Sequence, residues 1–237
     1  MAIAVLGLMS TALVLRPNGL MSVTPLAQAR QRMVMGLLTL GDDPDFDPFS
    51  ADYPPAVCKS EKTRVKLSTT AGDCHVVVDR ALSPKGVDRF LELVASGFFE
   101  DMLLYRVLPG FLVQFGVAAD AKVQSQWEGA RLPDEPNRKT FRGGTLSFAG
   151  NGRDSRSCHL FVALSPGGAQ LGKAEHEATL GRVEEVEVFD KIAANAEANR
   201  YVDLDLQPEL LKRGNEAALN YPKLDRILRA EVIEIVE

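Results

Sequence analysis

Arg106, Phe111 and Gln114 sit on two short apolar runs, Leu104-Tyr105-Arg106-Val107-Leu108 and Phe111-Leu112-Val113-Gln114, joined by the corner Pro109-Gly110. A guanidinium is a fixed array of donors, and an amide both donates and accepts. Beside an aromatic wall they suit a site that binds a neutral, partly apolar group and donates hydrogen bonds to it. Alternation along a flat strand sends Phe111 and Gln114 to opposite faces, so a bend or twist has to bring them together, with Arg106 projecting beside them. Taken alone, the stretch reads more simply as an edge hairpin with a solvated arginine.

A second segment shifts that balance: Gly143-Gly144-Thr145-Leu146-Ser147-Phe148-Ala149-Gly150-Asn151-Gly152, followed by Ser157-Cys158-His159-Leu160-Phe161-Val162. Together the two segments resemble the cyclophilin family of peptidyl-prolyl cis-trans isomerases. The first follows the family's aromatic-His-Arg-Val-Ile-Pro-Gly-Phe-Met-Ile-Gln-Gly-Gly pattern. The second follows its Leu-Ser-Met-Ala-Asn, a glycine-rich loop, then Ser-Gln-Phe-Phe-Ile. The likeness runs from about Val65 to the end of the chain and takes in Thr70-Ala71-Gly72, a helix after Pro84, and Thr179-Leu180-Gly181-Arg182-Val183. Motifs in the right order over most of a domain are a far stronger signal than one short pattern. The chain departs from the family at Leu104-Tyr105, where an aromatic-His pair is usual, and at Phe115-Gly116-Val117, where Gly-Gly-Asp is usual. Gly150 replaces an asparagine, His159 a glutamine, and Gln170 falls near the place of a tryptophan.

The resemblance implies a mainly β fold, a closed antiparallel barrel with two capping helices. It also implies a reaction that needs no nucleophile, metal or cofactor. Rotation about a peptide bond costs ~18–20 kcal/mol because the nitrogen lone pair is delocalised into the carbonyl, and Xaa-Pro bonds exchange over tens of seconds or longer. A catalyst has to bind the twisted amide better than either planar form, and a guanidinium can donate to the nitrogen lone pair that twisting restores. By motif position Arg106 takes that role. Gln114 orients it and bonds the substrate backbone, Phe111 and Phe161 form the floor for a proline ring, and Leu112 and Leu171 form the rim. Ala149 is a small wall, Gly150 offers a carbonyl, and His159 and His176 face the substrate, His159 with a pH-sensitive effect on binding. The implied partners are proline-containing polypeptides, with no nucleic acid, and the chain is expected to act as a monomer. The alternative is a catalytically weak module that binds proline peptides or serves as a scaffold on the same fold.

Several elements have to position these residues. Val65 and Leu67 alternate with polar neighbours in a strand over 64–69, and Gly72-Asp73 turns it into a partner strand over 74–78. Ser83 and Pro84 open a helix that Gly97 closes, with Val87, Phe90, Leu91 and Val94 on one face. Short strands are expected over 103–107, 111–115, 145–149 and 160–164, a second helix over 188–196, and a closing strand over 229–236. An extension at about 199–225, with a helix around 208–219, reads as decoration or a partner-binding surface. Trp127 falls in the loop after Phe115, away from the groove.

Composition narrows the remaining classes. A net charge of −5 leaves no basic footprint for nucleic acid. Three cysteines, Cys58, Cys74 and Cys158, with no CxxC spacing, and three dispersed histidines argue against a disulfide framework and a zinc site. Cys158 and His159 are adjacent, and adjacent strand residues point apart, which argues against a nucleophile–base pair. Residues 1–29 read as a targeting segment or a hydrophobic N-terminal segment: an apolar run to Leu15, then an A-x-A pattern at Ala27-Gln28-Ala29. That favours a secretory, membrane-anchored or organellar (plastid-type) address over the cytoplasm, with membrane contact confined to residues 1–15. Residues 30–55, with Asp42, Asp43, Asp45, Asp47 and Asp52 among prolines, read as an acidic linker, and 56–237 as the isomerase domain.

Overall fold

Strand β1 (Lys62–Thr69) buries every second side chain, Thr63, Val65, Leu67 and Thr69, and β2 (Gly72–Asp79) does the same with Cys74, Val76 and Val78. That is the half-buried alternation expected of an antiparallel pair with one face on a core. The computed structural model describes residues 61–195, 206–219 and 221–236. The targeting segment, the acidic linker and the domain start at Ala56 lie outside them. Helix α1 (Pro84–Ala95) buries Val87, Phe90, Leu91 and Val94, and Gly97 follows it at φ +74. Such a left-handed residue is where glycine has no Cβ penalty. Among the described residues no helix is long and apolar enough to cross a membrane.

The remaining strands are β3 (Met102–Leu103), β4 (Arg106–Leu108), β5 (Leu112–Phe115), β6 (Thr145–Phe148), β7 (Leu160–Ala163), β8 (Thr179–Val183) and β9 (Arg226–Val236). They form one nine-stranded sheet in the order β3-β9-β1-β2-β8-β6-β7-β5-β4, with every ladder antiparallel. The fold is thus mainly β, an antiparallel sheet that curls about buried Leu67, Val76, Phe90, Phe99, Phe115, Phe148 and Phe189. The order ends in β3 and β4, which only Leu104 and Tyr105 separate in sequence, and no ladder joins the two among the described residues.

Four α-helices accompany the sheet among the described residues, where two capping helices and one in the extension were expected. Besides α1 there are α2 (Ala121–Glu128), α3 (Val186–Ala194) and α4 (Leu206–Arg213). Helix α2 lies where a loop was expected, and it carries Trp127. Its cap is Asp120, whose side chain accepts from Lys122 N at 2.7 Å, and only Gln124 is buried on it, so it lacks the apolar period that reveals a helix. Trp127 packs edge-on against Phe98 at 6.3 Å under the Arg89 guanidinium at 5.3 Å. Helix α3 begins two residues before the expected 188, and β9 begins at Arg226 because Ile227 is already paired with both Met102 and Thr69. Helix α4 belongs to the extension. It sets Leu206 and Leu210 against Leu103, Tyr105 and Val117, under the corner between β3 and β4.

Candidate active-site groove

The antiparallel register builds the site in rows. Arg106 of β4 stands opposite Gln114 of β5, and Gln114 stands opposite Phe161 of β7. The next row on the same face is Leu108, Leu112 and Ala163. Phe111 escapes strand alternation because it precedes β5. It closes the corner with its N–H on Leu108 O at 2.9 Å while Gly110 takes φ +72. The bend demanded by the sequence is therefore the Pro109-Gly110 corner itself.

A groove of about 720 Å³ opens on this face. Arg106, Gln114, Leu112 and Phe161 line it from the sheet, Phe111 from the corner, and Ala149, Gly150, His159, Leu171 and His176 from the loops around it. All the residues singled out from the sequence thus share one groove. Its polar rim adds Glu128, Arg131, Arg153 and Gln207, which sequence reasoning missed. Gln207 comes from α4, so the extension reaches the groove. Phe161 is 3% exposed and is backed by Phe141, with ring centroids 6.1 Å apart. Leu112, Ala163, Leu108, Phe111, Ala149 and Leu171 complete that apolar cluster.

The polar groups are tightly bonded. Arg106 Nη1 donates to Gln114 Oε1 at 2.9 Å, and Gln114 Nε2 donates to Tyr105 Oη at 2.9 Å. Tyr105 Oη lies 3.3 Å from His159 Nδ1, and His159 Nε2 lies 2.8 Å from Glu128 Oε2. The His159 hydrogen bond, with help from Gln124, holds the Glu128 carboxyl below the usual carboxylate range against the opposing effect of desolvation.

Gly150, which stands where the family has asparagine, has a local cause. A Cβ there would lie 2.5 Å from Ser155 Oγ and 2.8 Å from the His176 ring. Gly116, at φ +110, carries β5 past the second segment, where an added Cβ would sit 2.4 Å from Cys158 O. Both the φ and the backbone contact oppose a side chain. Gly116→Ala is therefore expected to lose at least about 2 kcal/mol of stability. A urea midpoint converted to a loss under about 0.5 kcal/mol would contradict this packing.

Cys158 and His159 do not point apart, because they precede β7 and escape its alternation. With Glu128 they bring Sγ, Nε2 and a carboxylate oxygen within 4.8 Å of one another. Burial pushes the Cys158 thiol up to about 12, which keeps it protonated, and Gln124 Nε2 donates to both the thiol and the Glu128 carboxylate. The arrangement is a hydrogen-bonded set whose protonated thiol is not poised as a nucleophile. In a second group, His75, Glu184 and Glu185, Glu185 bonds His75 and Glu184 pairs with Arg64. Cys74 and Cys158 are both free thiols.

Comparison with known proteins agrees with this geometry. Residues 64–208 match the family model for cyclophilin type peptidyl-prolyl cis-trans isomerase. Peptidyl-prolyl cis-trans isomerase A of Dickeya dadantii is 30% identical over 147 residues, which cover 60% of this chain and 76% of that protein. Peptidyl-prolyl cis-trans isomerase-like 2 of Emericella nidulans is 32% identical over 108 residues, 44% of this chain and 18% of that longer protein. A crystal structure of a cyclophilin type isomerase from Cryptosporidium parvum superposes with a TM-score of 0.54 at 19% identity, covering 73% of this chain and 98% of that one.

Proposed function

The chain belongs to the cyclophilin-type peptidyl-prolyl cis-trans isomerase family and is a prolyl isomerase, and from that premise we infer how its groove works. The observation that carries the reading is the row Arg106–Gln114–Phe161, which sets a bonded guanidinium beside an aromatic floor. A proline ring lies on Phe161 and Phe111, between Leu112 and Leu171, with Ala149 leaving it room. The backbone carbonyl of Gly150 accepts from the peptide, and His159 and His176 border the chain on either side of the proline. The Gln114 oxygen holds one guanidinium nitrogen and leaves the others for the substrate. As the prolyl bond twists, its nitrogen regains a lone pair, and Arg106 donates to it more strongly than to either planar isomer. Proteins whose folding waits on Xaa-Pro exchange are the substrates such a site serves.

The same reading closes the sheet into a barrel. Strands β3 and β4, at the two ends of the strand order, are halves of one run bent at Leu104-Tyr105. Leu104 N–H is bonded to Asp225 O at 2.9 Å, so its amide should be strongly protected from hydrogen exchange. Rapid exchange at Leu104 would speak against this bend, which the β9 side of the sheet holds.

Steady-state isomerisation of an Xaa-Pro peptide by the full chain tests the site, with Phe111→Ala beside it. Phe111 is part-exposed in the corner, so its loss should spare the fold. It should raise KM about tenfold, equivalent to ~1.4 kcal/mol of lost apolar contact. An unchanged KM would move the proline ring elsewhere.

A further inference from the structure

The Gln114 amide has a fixed polarity. Its oxygen faces Arg106 and its NH2 faces Tyr105, each at 2.9 Å. Tyr105 is fully buried, and its hydroxyl, accepting from Gln114, must place its own proton. The acceptor at hand is His159 Nδ1, 3.3 Å away. That assignment puts the imidazole proton on Nε2, which donates to Glu128 at 2.8 Å. Gln124, one turn earlier on α2, donates to the same carboxylate oxygen at 2.6 Å. A single directed chain therefore runs from the half-exposed carboxylate of Glu128 to the guanidinium of Arg106. The chain departs from the family at both 105 and 159, where histidine and glutamine are usual, and the two departures bond one another.

We infer that Tyr105, His159 and Glu128 are positioning residues for the isomerase reaction, locking the Gln114 amide and through it the Arg106 guanidinium. The inference rests on the reading of Arg106 given above. The chain has one consistent set of donors. A second proton on His159 makes Nδ1 a donor aimed at the Tyr105 hydroxyl, which can accept from both neighbours but then has no acceptor for its own proton. The Gln114 amide can accept it only by flipping, and a flipped amide presents NH2 to Arg106. A buried hydroxyl proton without an acceptor and an amide turned away from Arg106 both loosen the hold on the guanidinium.

The groups that face His159 are few. Glu128 and Gln124 come from α2, Cys158 is its neighbour, and Tyr105 comes from the corner with Arg106 one amide behind it. Arg89 of α1 reaches the Ser157 carbonyl at 3.3 Å. Burial raises the titration of both the Tyr105 hydroxyl and the Cys158 thiol, so neither ionises between pH 5.5 and 8.

The test is kcat and KM from pH 5.5 to 8 for the full chain, Tyr105→Phe, His159→Leu and His159→Gln. Removing one link, and with it two hydrogen bonds, should lower kcat about three- to tenfold in Tyr105→Phe and His159→Leu, with KM nearly unchanged in Tyr105→Phe, whose side chain is outside the groove. Glutamine at 159 can accept from Tyr105 and donate to Glu128 but cannot titrate. His159→Gln should recover most of what His159→Leu loses and should lack the parent's fall in kcat towards acid. The side-chain amide resonances of Gln114 follow the same chain without turnover, shifting with pH in the parent and staying flat in His159→Gln. Parent-like kcat in Tyr105→Phe and His159→Leu, or an acid limb that persists in His159→Gln, overturns the inference while leaving the isomerase reading intact. An inactive parent instead strikes the reading of Arg106, and the Gln114 resonances then decide the positioning chain alone.

Discussion

Arg106→Ala is expected to lower kcat/KM towards an Xaa-Pro peptide by about two to three orders of magnitude, most of it in kcat. Removing one preorganised donor to developing charge or a developing lone pair costs about 2.7–4 kcal/mol in other enzymes. Arg106 bonds Gln114 but belongs to no apolar cluster, and it is only partly buried, so its loss should leave the fold standing. The planar peptide is held by the apolar floor and the backbone, and KM should therefore move by no more than about threefold. Arg106→Lys should recover little, because an ammonium cannot bond Gln114 and the prolyl nitrogen from one planar group. Full activity in Arg106→Ala would assign the chemistry to another residue.

Glu135→Ala is expected to cost about 3–5 kcal/mol of stability. Ser83 precedes Pro84 as the sequence suggests, but its side chain caps nothing on α1. The cap is Glu135, which accepts from Lys85 N and Gly86 N at 2.9 Å each and from the Ser83 hydroxyl. The same carboxylate faces Arg156 Nη1 at 3.1 Å, and Arg156 is fully buried over the Phe148 ring with a second bond to Pro133 O. Without Glu135 the helix start loses its acceptor and a buried guanidinium loses its nearer counter-charge, leaving Asp134 at 3.9 Å. Because Leu132 pairs with Arg156, and Asp134 and Asp154 each donate a backbone N–H to the other's carboxylate, the loss should also loosen the loop that presents Gly150. Pairing Glu135→Leu with Arg156→Met should restore a good part of the stability, since the uncompensated charge goes with its partner. Urea unfolding of the single and double variants measures this, and a single-variant loss under about 1 kcal/mol would refute it.

What could be read from the sequence follows the range of the interactions. The β1–β2 hairpin and α1 were legible because Val65, Leu67, Val87, Phe90 and Leu91 report their surroundings through local period alone. The pairing of Arg106 with Gln114 was legible as a corner between two runs. Its register came from the fold, which sets the two directly opposite each other. Helix α2 left only Asp120 as a local sign, since its single buried residue gives no period. The cap of α1 arrives from Glu135, some fifty residues downstream, and no window about Ser83 contains it. Tyr105, His159 and Glu128 come from three segments that only the sheet order and α2 bring together. Read singly, they look like a core tyrosine, a groove histidine and a solvated helix end.

Two-dimensional exchange NMR on an Xaa-Pro peptide with a small amount of the full chain tests the central claim most directly, because one sample reports binding and cis-trans exchange together. The groove described here predicts cross-peaks between the cis and trans resonances that build up far faster than in the free peptide. Shifts of the peptide resonances with no acceleration of exchange would contradict it, leaving a groove that reads proline without turning it over.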